Sequence, residues 1–238
     1  MKRKLTVPFF ELGVKYYIYG DAVLEMALLA DKLAHKYDMD IPMTVPYTEI
    51  RWVAEHTDRV VIFAPYMDIL SPPCRGQADI LPESLKAAGA HGVVLNHCEK
   101  PVSLAQVKRS IEICNELDLL SMVCTDSVTE AKAMALLHPD IIVPEPTEYI
   151  GSGRTSDLGY IIECVNEIKA IDPNIIVEVG AGISCADDVY RGIFHGSDAA
   201  GACSGIHNSD NPPKMFEAMV AAAKQAGIDR KAKEAKLQ

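Results

Sequence analysis

Residues 140–153, Asp-Ile-Ile-Val-Pro-Glu-Pro-Thr-Glu-Tyr-Ile-Gly-Ser-Gly, set one carboxylate where it can do chemistry. Ile141, Ile142 and Val143 form a β-branched run the length of one buried strand, and Glu145 stands at its carboxyl end between two prolines. Pro146 restricts the backbone after the acid, whereas Gly151 and Gly153 free it a few residues later, a pattern suited to a loop that closes as a unit. The stretch reads as strand, acid or base, then lid. An ordinary strand-to-helix connection with a solvated glutamate is the competing reading.

Other reactive side chains fall at comparable points of the chain. Lys15 follows the first apolar run. Asn96, His97 and Glu99 follow Val93–Leu95, while Gly180, Gly182 and Ser184 follow the run ending at Val179. Ser204 and Gly205 follow Ala199–Cys203. One base, one imidazole and one cation at strand ends are the groups needed to move a proton beside a carbonyl. Glycine turns opening onto helix starts suit a phosphate.

The elements that position them recur evenly. The patterning predicts strands at Leu5–Phe10, Asp40–Val45, Arg59–Ala64, Val93–Asn96, Leu119–Cys124, from Ile141, Asn174–Val179 and Ala199–Cys203. Helices are expected between and after them, at Asp21–Lys36, around Ile50–Val53, and at Pro82–Ala88, Leu104–Leu117, Val128–Leu137, Leu158–Ile171, Ser184–Phe194 and Pro213–Ala226. Eight strand–helix units require a parallel sheet and close into a (β/α)8 barrel. An open doubly wound sheet is the rival, but the Gly-x-Gly-x-x-Gly turn expected after its first strand is missing. The expected domain spans residues 1–228, with 229–238 a charged, frayed helical tail. The Pro- and Gly-containing loop from Asp68 to Ile80 is long enough to have a function of its own.

The 238 residues, 49% hydrophobic and 24% charged, can build one substantial core. A net charge of −10 argues against nucleic acid as a partner, yet leaves room for a locally bound anion. No apolar run reaches the ~20 residues needed to cross a bilayer, and the segment after Met-Lys-Arg-Lys is too short for a signal-peptide core, so a cytoplasmic protein is expected. Seven scattered cysteines without a Cys-x-x-Cys pair predict neither a zinc site nor disulfides.

The motifs resemble those of the triosephosphate isomerase family, especially its shorter archaeal form. Leu95-Asn96-His97-Cys98-Glu99-Lys100 is similar to its histidine motif, and Glu145 to Gly153 to its catalytic glutamate and lid. Gly180-Ala181-Gly182-Ile183-Ser184 and Ala202-Cys203-Ser204-Gly205 are similar to its two phosphate turns. The resemblance implies a barrel isomerase with Glu145 as base, His97 as electrophile, Lys15 as electrostatic stabiliser and Glu99 as the partner of Lys15. It also implies that Gly13, Ile150, Gly151, Ser152, Gly182, Ser184, Cys203 and Ser204 hold a small phosphorylated substrate. No metal or organic cofactor is needed, and a homodimer or homotetramer is implied. Two departures stand out: Gly13 occupies the family's usual Asn position, and Ala64-Pro65-Tyr66 replaces Ala-Gln-His. They leave open an isomerase of a four- or five-carbon sugar phosphate, and a non-catalytic phospholigand-binding barrel.

Overall fold

A computed structural model describes residues 1–151 and 157–236. Eight parallel strands close a barrel in chain order: β1 (Phe9–Gly13), β2 (Ile41–Thr44), β3 (Val60–Ala64), β4 (Gly92–Leu95), β5 (Leu120–Thr125), β6 (Ile141–Pro144), β7 (Ile176–Val179) and β8 (Ala199–Ala202). The helices wrapping them are α1 (Asp21–Tyr37), α2 (Ile50–His56), α3 (Pro82–Ala88), α4 (Leu104–Glu116), α5 (Val128–Ala135), α6 (Leu158–Ile171), α7 (Ala186–Phe194), the short α8 (Ser204–His207) and α9 (Pro212–Ala235). The predicted barrel therefore holds, and the open-sheet rival falls, because β1 pairs with both β2 and β8.

Alternation along each strand divides the apolar residues into two cores. Phe9, Val61, Phe63, Val94, Leu120, Met122, Ile141, Val143 and Ala199 pack inside the barrel. The opposite strand faces, including Phe10, Leu12, Ile62, Val123, Ile142 and Val177, pack with the helices in the outer core. Local signals place the helices. Ser103 caps α4 in a capping box with Gln106, Ser127 accepts the Glu130 N–H to start α5, and Gly89 ends α3 in the left-handed region at φ 105°.

Two boundaries differ from the sequence expectation. The first strand begins at Phe9 rather than Leu5. Thr6 gives its backbone N–H and hydroxyl to the Asp40 carboxylate, both at 2.8 Å, and Pro8 has no ladder donor to offer. The strand consequently runs on to Gly13 and carries Glu11 into the barrel. At the other terminus, the helix expected to end at Ala226 runs on through the helical tail to Ala235. Arg230 donates to the carbonyls of Ile193 (3.1 Å) and Ser197 (2.7 Å), and Tyr190 donates to Asp229 (2.9 Å). These polar contacts tie a charged segment to α7 where apolar patterning gives no signal. No helix among the described residues is long and apolar enough to cross a membrane.

Candidate active site

The carboxyl ends of the strands surround a cavity of about 500 Å³ lined by Gly13, Lys15, His97, Glu99, Glu145, Ile150, Gly151, Gly182, Cys203 and Ser204. The closed barrel brings ends of β1, β4, β6, β7 and β8 to one mouth, where barrel enzymes keep their sites. Ten of the twelve residues singled out in the sequence thus share one cavity. Ser152 lies outside the described residues. Ser184 is turned away: its N–H and hydroxyl both donate to Asp188 at 3.0 Å, capping α7.

Glu145 follows β6 directly, its N–H bonded to the Thr125 carbonyl at 2.7 Å. Its Oε1 lies 2.6 Å from where a Cβ on Gly180 would stand, so the glycine after β7 makes room for the carboxylate. Burial pushes its pKa up to about 7, against the opposing pull of Lys15 and a contact with Cys124. A carboxylate poised there is a usable base at neutral pH.

Asn96, at φ 57°, braces the turn after β4 by donating to Cys124 O (3.0 Å) and accepting from Val102 N–H (3.1 Å). The next residue, His97, accepts the Glu99 backbone N–H on Nδ1 at 3.2 Å. That bond sets the ring's proton on Nε2, and burial together with Lys15 lowers the pKa, so the imidazole is neutral. Lys15 donates to Glu99 at 2.5 Å, and the pair holds the Glu99 carboxyl below its ordinary value. Lys15 itself is raised from its ordinary value, with burial opposing and Glu99 favouring its charge.

The glycine turns meet at close range. Gly182 has φ 72°, and a Cβ on Gly205 would sit 2.3 Å from the Ile183 carbonyl. Only glycine at 205 lets the turn after β7 rest on the start of α8. Gly13 has a similar reason: a Cβ there would stand 3.0 Å from that of Cys203, and its carbonyl is bonded to His207 Nε2 at 3.0 Å. The lid's first part is tied down, with Thr147 N–H bonded to Asp126 at 2.6 Å.

Two further acids were not singled out in the sequence. Glu11 and Glu178 both line the cavity from inside the barrel. Their signal was a lone acid in an apolar run, Phe9-Phe10-Glu11-Leu12 and Ile176-Val177-Glu178-Val179; the first lay just beyond the strand boundary expected there.

A buried carboxylate, a neutral imidazole and an ammonium group at one barrel mouth suit the class of enzymes that shift a proton between a carbonyl carbon and its neighbour. The triosephosphate isomerase family model matches residues 14–223, and the chain belongs to that family. It is 35% identical over 216 residues to a triosephosphate isomerase of Sulfurisphaera tokodaii, covering 90% of this chain and 93% of that protein. Triosephosphate isomerases of Sulfolobus acidocaldarius (34% over 205 residues, 85% and 88% covered) and Metallosphaera sedula (33% over 217 residues, 89% and 94%) are comparably similar.

Proposed function

We propose that the protein interconverts glyceraldehyde 3-phosphate and dihydroxyacetone phosphate through an enediolate. The observation that carries the reading is the convergence of Glu145, His97 and Lys15 on one cavity in a member of this family. Glu145 removes the proton beside the carbonyl and returns it to the neighbouring carbon. His97 donates from neutral Nε2 to the oxygens that carry the developing charge, and Lys15, held by Glu99, offsets that charge. Triosephosphate isomerase is the reference case for this division of labour, and the scheme is taken over from it. The substrate phosphate sits against the turns at Gly182 and Cys203–Ser204, under Ile150 and Gly151. The relatives' names point to the same reaction.

A cytoplasmic location and a homodimeric or homotetrameric assembly complete the reading. The loop after β3 supports an assembly role: it is pinched shut by mutual bonds between Asp68 and Ile80 at 3.0 and 2.8 Å, with residues 71–79 exposed beyond them.

The test is Glu145→Gln, assayed by coupled turnover and by exchange of substrate protons with solvent deuterium. The expected result is a kcat lowered by about 10²–10⁴ with little change in KM. Undiminished turnover in this variant removes Glu145 from the mechanism.

A further inference from the structure

The catalytic groups occupy only the upper part of the cavity. Inside the barrel the cavity is lined by Glu11, Thr44, Glu178 and Gly201 from β1, β2, β7 and β8, and by the apolar Val94, Met122 and Val143 from β4, β5 and β6. Glu178 lies two residues below Gly180 on β7, roughly 6–7 Å of strand beneath the glycine over which the Glu145 carboxylate rests. Glu11 stands beside Gly201 in the β1–β8 register. A Cβ on Gly201 would lie 2.4 Å from Glu178 Oε1 and 2.9 Å from Glu11 Oε2, so both carboxyl groups converge on the space a side chain there would fill.

The acidic side of this floor is incompletely bonded. Thr44 donates its hydroxyl to Glu11 Oε1 at 2.7 Å. Glu178 is 2% exposed, and its Oε2 has no hydrogen-bond partner among the described residues. A buried carboxyl oxygen without a partner costs stability unless something bonds to it. Burial raises both acids, Glu11 to about 7 with added repulsion from Glu145, and Glu178 well above its ordinary value with added repulsion from Glu11 and Glu145, so the pair retains a proton near neutrality. A retained proton makes the floor both donor and acceptor, which is what recognising a hydroxyl requires.

We propose that Glu11, Glu178 and Gly201 form a subsite for a hydroxymethyl group on the substrate carbon farthest from the phosphate. The site then takes, besides a triose phosphate, a four-carbon ketose phosphate lengthened at that end. This inference rests on the proton-transfer reading of Glu145 given above. With the phosphate at the turns after β7 and β8 and the reacting carbons beside Glu145, the added carbon reaches down to the carboxyl pair. The reaction stays balanced without a co-reactant. Glu145 takes the proton from carbon 3 of the 2-ketose 4-phosphate and returns it to carbon 2. The hydroxyl proton on carbon 3 moves to the oxygen on carbon 2, leaving the carbonyl at carbon 3.

The test measures solvent deuterium exchange and turnover with dihydroxyacetone phosphate and with erythrulose 4-phosphate of each configuration. Wild-type protein is compared with Gly201→Ala, which fills the floor, and Glu178→Gln, which is nearly isosteric. The expected result is exchange of one erythrulose 4-phosphate, with the ratio of its kcat/KM to that of the triose ester falling at least tenfold in each variant. Melting curves identify any variant that fails to fold, and the other variant then decides. Exchange of the triose ester alone, with no competition by either erythrulose ester, overturns the subsite but not the isomerase. An unchanged ratio in a folded variant also overturns it. No exchange with any ester removes the isomerase reading and the subsite together.

Discussion

At the scale of single residues, the pH profile is set by which group must lose its proton. In the proposed reaction Glu145 works as a carboxylate; burial pushes its pKa up to about 7, while His97 is neutral in that range because its own is lowered. The acid limb of kcat/KM therefore belongs to Glu145, and the expected profile rises through a midpoint near 7 and levels above it. A midpoint at an ordinary carboxylate value, measured on folded protein, contradicts the burial argument. Stability runs the other way. A carboxyl raised in the folded state contributes stability that is present below its unfolded value and lost as pH rises through the folded one. Glu178, the least bonded of the buried acids, is shifted in this direction. Glu178→Gln, which cannot ionise, is expected to raise Tm by about 2–4 °C at pH 8 and to leave it nearly unchanged at pH 5, as scanning calorimetry at both values will show.

At the scale of elements, the phosphate turns depend on a close backbone approach. The turn after β7 and the first residues of α8 touch through Gly205, where an added methyl meets the Ile183 carbonyl and Ser184 Cα, and no rotamer change relieves that. Gly205→Ala is expected to cost about 1–3 kcal/mol of stability. Because it separates the two turns, it is also expected to raise KM for the phosphate ester more than it lowers kcat, read from steady-state kinetics. A KM equal to the wild type in a folded protein indicates that the phosphate is held elsewhere. The same elements account for Gly13. With Cys203 Cβ 3.0 Å from where a Cβ on Gly13 would stand, across the β1–β8 pair, the strand end has little space for a larger side chain.

At the scale of the whole molecule, closure brings strand ends from distant parts of the chain into one mouth, and α9 fastens the last turns of the barrel. Phe216, Met219, Val220, Ala223 and Ala226 bury its first half, and Arg230 secures the second against the end of α7. Deleting residues 229–238 is expected to lower Tm by about 2–6 °C, chiefly through the loss of the hydrogen bonds that tie Asp229 and Arg230 to Tyr190, Ile193 and Ser197. A frayed tail predicts no change in the same thermal melt. Much of this protein was legible in the linear pattern: the barrel follows from eight apolar runs separated by helical periods, and Glu145, His97, Lys15 and the glycine turns follow from chemistry recurring at strand ends. Local chain signals determine such features, because caps, alternation and turn residues act within a few positions. Tertiary structure alone decided the rest. Ser184 is withdrawn from the cavity because Asp188 claims it, and α9 persists because Arg230 finds distant carbonyls. Glu11 and Glu178 become one floor only when β8 presents Gly201 between them, since contacts across a closed sheet depend on register, which no local pattern in these strands specifies.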